Sequence, residues 1–351
     1  MTESHVVIMA GGIGSRFWPM STEDCPKQFI DILGTGKTLI QMTVERFLPI
    51  CPASNIWIVT SERYGQTVKA QLPQIPDSNI LTEPAARNTA PCIAYACWKI
   101  RMHHPDANVV VCPSDALVTD PQEYRRIILR ALEFSAQGDR IVTIGIKPSR
   151  PETGYGYIET AGGTCSSGEV VKVSSFREKP DAATAQEYLE SGRHLWNAGI
   201  FVWTAETICK AITRWAPQIA GVMDTMSADF YTPKEKETTA RLFPTCEKIS
   251  IDYAVMEKSP DIYTIPADFG WSDLGTWGSL HANMKRDADD NAVAGVSAEL
   301  HGCSGCVVHT DSLKRVIIEG LEGYIVAEKD GRLLICRLSE EQKIRDFRKE
   351  D

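Results

Sequence analysis

The 351-residue chain has no apolar run long enough to cross a bilayer as a helix, so a membrane role is not expected. It also lacks a basic excess: 37 Lys and Arg stand against 46 Asp and Glu, a formal net charge of -9. Binding that works by neutralising a phosphate backbone needs the opposite balance, so nucleic acid is not an expected partner. Seven histidines lie scattered, and no Ser-His-Asp or Cys-His arrangement suggests nucleophilic catalysis. The stretch before the apolar run Val6 to Ala10 is too short and too weakly basic for a signal peptide. Eleven cysteines form an odd set within apolar stretches (Cys92, Cys97, Cys112, Cys209), the usage of reduced, buried thiols and not of a disulfide framework. These absences predict a cytoplasmic protein.

What is present reads as α/β. Short β-branched runs at His5 to Ala10, Ile56 to Thr60, Val109 to Cys112 and Ile141 to Ile146 alternate with segments of helical period at Leu39 to Leu48, Thr89 to Met102 and Tyr124 to Ala136. That alternation predicts a mostly parallel mixed sheet flanked by helices. Further on, strand-like Val170 to Phe176 and Gly199 to Trp203 flank a helical stretch, Asp181 to Ser191. After about Asp289 short strand-like pieces broken by Gly, Asp and Ser predict a β-rich appendage, closed by a charged helix from Glu340 to Lys349. The expected division is a domain over 1–288 and a smaller one over 289–351.

The strongest local signal is the strand running into Gly11, Gly12, Ile13, Gly14, Ser15 and Arg16, followed by Pro26 and Lys27. Glycines accept positive φ and leave backbone N–H groups free to face anionic oxygens, while Arg16 and Lys27 supply charge. A tight turn with a surface arginine is the plainer reading of the glycines alone. Two familiar glycine motifs fail on particular residues. The dinucleotide fingerprint requires glycine where Phe17 stands, which argues against a nicotinamide-dependent dehydrogenase. The phosphate-loop frame ending at Gly36, Lys37 and Thr38 requires glycine at Asp31.

Met9-Ala10-Gly11-Gly12-Ile13-Gly14-Ser15-Arg16-Phe17-Trp18-Pro19-Met20-Ser21, then Pro26-Lys27-Gln28-Phe29, resembles the opening motif of bacterial mannose-1-phosphate guanylyltransferases, within the sugar nucleotidyltransferases. The resemblance extends over almost the whole chain. It implies a Rossmann-like nucleotidyltransferase fold with a small β-helical C-terminal part and, in many relatives, a homodimer. It also implies GTP and mannose 1-phosphate as substrates, with another NTP or another hexose or heptose 1-phosphate as the alternative. Ala10, Gly11, Gly12, Gly14 and Ser15 would bind the nucleotide, and Arg16 and Lys27 would hold the triphosphate and the departing pyrophosphate.

Thr82-Glu83-Pro84-Ala85-Ala86-Arg87-Asn88-Thr89 resembles the family's base-facing loop. A carboxylate is an acceptor matched to guanine's N–H donors, so Glu83 is the expected base reader, with Asn88 and Thr89 beside it. Asn88 or Thr89 also suits a helix cap, with Pro91 in the first turn. Asp115 follows a strand where α/β sheets place ligands. It and Asp273, in Gly270-Trp271-Ser272-Asp273, resemble the family's metal-binding acids and would take Mg²⁺ or another divalent cation. The family usually has histidine where this chain has Ala116. Gly154, Glu178 and Asn197 resemble sugar-binding residues, and Lys179 would offer charge to the sugar phosphate. Standing alone, Glu178-Lys179 before Pro180 would read as a solvated strand end. Asn197 can both donate and accept. Cys303 and Cys306 with His301 and His309 suggest a zinc set, but four ligands within nine residues are cramped, and buried thiols are the preferred reading.

The resemblance implies in-line attack by a sugar phosphate oxygen on the α-phosphorus of the nucleotide. Because the nucleophile is already an anion, no general base is needed and charge stabilisation dominates. Lys27→Ala and Asp273→Ala are therefore expected to cut turnover while leaving the fold intact.

Overall fold

A computed structural model describes residues 3–347 except Ile13, Thr164, Val296 and Lys314. The strands run β1 Ser4–Ala10, β2 Ile56–Ser61, β3 Ile80–Glu83, β4 Asn108–Pro113, β5 Leu117–Val118, β6 Ile141–Ile146, β7 Tyr157–Thr160, β8 Val171–Arg177, β9 His194–Thr204, β10 Ile262–Ala267 and β11 Trp271–Ser272. The tail adds β12 Ala292–Gly295, β13 Ala298–His301, β14 Val307–Thr310, β15 Val316–Glu319, β16 Tyr324–Lys329 and β17 Arg332–Arg337. Two compact units emerge, neither continuous in sequence. The first comprises Met1–Gly11, Val44–Pro113 and Val118–Trp271, the second Gly12–Thr43, Ser114–Leu117 and Ser272–Asp351.

The first unit is built on a nine-stranded mixed sheet in the order β3-β2-β1-β4-β9-β6-β10-β8-β7. Strands β3, β2, β1 and β4 pair in parallel, as the alternation of runs and helices predicts. Beyond β4 the ladders turn antiparallel except between β6 and β10. Val109, Val110 and Val111 of β4 are all fully buried, which requires cover on both faces and explains the unbroken apolar run. Helices α1 Leu39–Phe47, α2 Gly65–Gln71, α3 Thr89–His103 and α4 Pro121–Ser135 follow, and α1, α3 and α4 match the predicted segments within a few residues at the ends. Asp120 caps α4, its carboxylate accepting from Gln122 N at 3.1 Å and Glu123 N at 3.0 Å. After α5 Ala182–Ser191 come α6 Ala205–Trp215 and α7 Pro217–Ser227. Helix α3 is buried from Ala90 to Ile100 and packs on both α6 and α7. Its Trp98 fills the core and donates to Asp224 Oδ1 at 2.8 Å.

In the second unit β12, β14 and β16 stack in parallel, as do β13 and β15, so successive turns of chain lay down rungs on two faces. The antiparallel β17 closes one sheet edge. Phe17, Met20, Leu274, Trp277, Val307, Ile325 and Ile344 share the unit's core. The tail strands are therefore one part of a unit that also holds the chain after the glycine loop. The charged closing helix expected from Glu340 takes a different form: Leu338–Lys343 is a 3₁₀ helix, followed by the short α-helix Ile344–Phe347. Glu341 Oε2 accepts from Gly278 N at 2.8 Å and Ile344 is fully buried, so local anchoring overrides a longer regular helix. The rest of the expected helix, residues 348 and 349, lies outside the described residues.

Candidate active site

Four of the expected residues converge in the second unit. Gly14 stands at φ 66°, ahead of the 3₁₀ turn Ser15–Phe17, and a Cβ there would come within 2.7 Å of Lys27 Cβ. Glycine is thus required both by the left-handed backbone and by the lysine stem. Lys27, almost wholly buried, sends its ammonium to Asp115 Oδ2 at 3.0 Å, to the carbonyl oxygen of Asp273 at 2.6 Å and to that of Leu274 at 3.1 Å. All three ammonium donors are matched, and both expected metal-binding aspartates are tied to one lysine. The charge of Lys27 is thus engaged by three oxygens of the protein. Gly275 N donates to Asp273 Oδ1 at 3.0 Å, and a Cβ on Gly275 would lie 2.4 Å from Asp273 Oδ2.

Arg16 donates Nη1 to the Gly275 carbonyl at 3.3 Å, while its Nε is buried without a hydrogen-bond partner. Phe17 packs on Trp277 with ring centroids 5.3 Å apart, anchoring the turn that carries Arg16. A Cβ at Gly11 or Gly12 would meet nothing within 4 Å, leaving open space beside their backbone. Ala10 ends β1, and its carbonyl accepts from Thr60 Oγ1 at 2.8 Å. Asp115 is partly exposed, and Ala116 beside it is buried.

The first unit holds the remaining residues. Glu83 ends β3, where burial pushes its carboxyl up to about 8 and Cys92 pulls it partly back. Its Oε1 is buried without a hydrogen-bond partner. Burial thus favours the neutral carboxyl, which can donate as well as accept. Asn88 caps α3 at φ 69°, its Oδ1 accepting from Thr89 N at 2.9 Å. Thr89 Oγ1 accepts from Ile251 N at 2.8 Å, and Ala90 N donates to the Ile249 carbonyl at 3.1 Å.

Asn197 lies on β9 beside the irregular part of the β6 ladder. Glu178 is nearly buried, and its Oε1 meets Lys179 Nζ at 3.1 Å. Lys179 is exposed and sits at φ 46°, a strained backbone for a residue with a side chain. Gly154 lies against Glu152, its N donating to Glu152 Oε1 at 3.0 Å. The glycine packed against Glu178 and Asn197 is Gly156: a Cβ there would sit 2.6 Å from Glu178 Oε2 and 3.4 Å from Asn197 Cβ.

Sequence reasoning also missed Asp252, which opens a π-helical turn, Asp252–Met256, and accepts from Asn197 Nδ2 at 3.2 Å. Burial, then the Glu178 charge, push its carboxyl up to about 6. A signal was available in the one acid set within the apolar stretch Ile249 to Met256.

Cys303 and Cys306 point their thiols at backbone oxygens, Cys303 at those of His301 and Ile318 and Cys306 at those of Ser304 and Leu321. Among the described residues one trio, Glu3, His5 and His104, brings potential ligand atoms within 4.8 Å of one another. Trp57 Nε1 donates to His5 Nδ1 at 3.2 Å, so neutral His5 carries its proton on Nε2 and has no lone pair there for a cation.

The fold is mixed α/β, with Lys27 tied to Asp115 and to the backbone of Asp273 behind a glycine turn and with Glu178, Asn197 and Asp252 forming a carboxyl-and-amide cluster. The chain matches the Nucleotidyl transferase family over residues 5–290 and belongs to that family. A mannose-1-phosphate guanylyltransferase of Escherichia coli is 32% identical over 349 residues, spanning 97% of this chain and 74% of that protein. The xanthan biosynthesis protein XanB of Xanthomonas campestris pv. campestris is 35% identical over 354 residues, spanning 99% of this chain and 73% of that one. A solved Thermus thermophilus structure described as a mannose-1-phosphate geranyltransferase aligns with a TM-score of 0.87 at 28% identity, covering 99% of this chain and 98% of that one.

Proposed function

We propose that the chain transfers GMP from GTP to mannose 1-phosphate, forming GDP-mannose and pyrophosphate. The likeness to the Escherichia coli guanylyltransferase over 97% of this chain carries the substrate pair. The tie of Lys27 to Asp115 and Asp273 supports the placement of charge.

In this reading Ala10, Gly11, Gly12, Gly14 and Ser15 bind the nucleotide, and the unpartnered Nε of Arg16 offers a donor to a phosphate oxygen. Asp115 and Asp273 are hard-oxygen donors, a set that fits Mg²⁺, and they would hold it. When bound, the ion neutralises phosphate charge. Lys27 fixes the Asp115 carboxylate and the backbone at Asp273. Glu83 reads the base, with Asn88 and Thr89 shaping its loop, while Glu178, Asn197 and Gly154 receive the sugar and Lys179 its phosphate. Attack by an oxygen that is already anionic needs no general base, so these residues act by orienting groups and offsetting charge. A catalytic domain over 1–288 with a small domain over 289–351, a cytoplasmic setting and a homodimer complete the proposal.

Pyrophosphate release from purified protein with Mg²⁺ tests it, crossing GTP, ATP, UTP and dTTP with mannose, glucose and galactose 1-phosphates. Rapid release confined to GTP with mannose 1-phosphate is expected. Preference for another pair would overturn the base or sugar assignment.

A further inference from the structure

Asn197 is held on three sides. Its side-chain oxygen accepts from Thr143 Oγ1 at 3.0 Å and from Gly199 N at 3.1 Å, which uses both lone pairs. One N–H of its amide goes to Asp252 Oδ1 at 3.2 Å. A single N–H is left, so Asn197 can offer a ligand only a donor, although an asparagine in isolation could also accept. Gly199 N can only donate, so it fixes which end of the amide carries the oxygen, while Thr143, fully buried in β6, has its hydroxyl within reach of both Asn197 Oδ1 and the Ile200 carbonyl at 3.3 Å.

Asp252 heads a π-helical turn, a geometry that occurs mostly in single turns and often at functional positions. The segment leading into and through that turn has two further attachments. Ile249 and Ile251 bond the start of α3 at Ala90 and Thr89, and Glu257 Oε1 accepts from Glu178 N at 3.3 Å. Within a few residues the segment therefore fixes the amide of Asn197 and the backbone of Glu178.

We propose that Asp252 is a positioning residue for the sugar: its carboxyl group holds one N–H of Asn197 so that the other is presented to a hydroxyl oxygen of a sugar 1-phosphate. The proposal rests on the sugar-binding role given above to Asn197. Asp252 acts through Asn197: without its carboxyl group one amide N–H loses its acceptor and the NH2 end is no longer anchored. Glu178, an acceptor, takes hydroxyl protons, while Asn197 offers a proton to a hydroxyl oxygen. The two groups thus read opposite ends of O–H bonds, a pattern matched to a polyol.

A double-mutant cycle on the full chain tests this, with steady-state KM measured separately for nucleotide and sugar phosphate. Asp252→Ala is expected to raise the KM for mannose 1-phosphate about tenfold and to leave that for GTP within about twofold. Asp252→Asn keeps an acceptor oxygen and should recover to within about threefold of the parent. In an Asn197→Ala background, Asp252→Ala should add less than about twofold. Equal rises in both KM values, an Asn variant as impaired as the Ala variant, or an undiminished effect without Asn197 would each overturn the proposal. If the parent protein prefers another sugar phosphate, the substrate assignment fails and the cycle is run with that sugar. If Asn197→Ala alone leaves every sugar phosphate KM unchanged, the sugar-binding reading and this inference fall together.

Discussion

Lys27 is charged and buried, with every donor matched inside the protein. Truncation leaves two carbonyl oxygens and a carboxylate without their cation. Lys27→Ala should therefore lose turnover by about 100-fold or more and also about 2 kcal/mol of stability, moderated by the partial exposure of Asp115. Pyrophosphate release and urea unfolding report the two losses separately, and unchanged stability would remove the structural half of the assignment. The expectation from sequence alone, an intact fold, takes no account of this burial. Glu83 makes the opposite case. Its folded-state carboxyl is raised to about 8, so the folded protein binds the extra proton between the ordinary carboxylate range and that value. Its contribution is intact at low pH and is lost as pH rises towards 8, because charging a buried carboxylate is unfavourable. Glu83→Gln should thus raise the melting temperature at pH 8 and change it little at pH 5. Scanning calorimetry at both values decides this, and an equal shift at both would show that the carboxyl does not ionise against burial.

The parallel part of the sheet was readable from β-branched runs because strands covered on both faces leave unbroken apolar sequence, and Ile141–Ile146 coincides with its run to the residue. Asn88 likewise marked the start of α3 through capping chemistry. Contacts distant in sequence leave no local mark. Asn197 meets Asp252 55 positions away, and Lys27 meets Asp273 246 positions away. Neither spacing has a period to detect, so the chemistry of each partner was legible and their tie was not. The turn at Asp273 shows what local geometry adds. Its carboxylate occupies the space of a side chain at 275, so Gly275→Ala should displace the Asp273 carboxylate by rotating it while leaving the fold in place. Loss of turnover, partly restored by raising Mg²⁺, is the expected result. A Mg²⁺ titration of the variant matching the parent curve would disconnect this turn from metal binding.

For the whole molecule, the family and the mixed α/β architecture were evident from the glycine loop and its companion motifs, whereas the two interleaved units were not, since each gathers segments distant in sequence. Ile317, Leu333 and Ile335 are more than half exposed on strands of the second unit, and β17 forms a sheet edge, which supports the proposed homodimer. Leu333→Glu with Ile335→Glu should shift the protein to monomer in analytical ultracentrifugation, and an unchanged sedimentation coefficient would remove this surface from the interface. The cysteines carry a further consequence. Cys92, Cys97, Cys209 and Cys246 are buried free thiols in the first unit, and Cys303 and Cys306 are buried in the second. A maleimide reaches such thiols only when the chain around them opens. The natural sequence therefore carries internal reporters in both units: labelling rates in native buffer, resolved by peptide mass, measure how often each unit opens without any introduced probe.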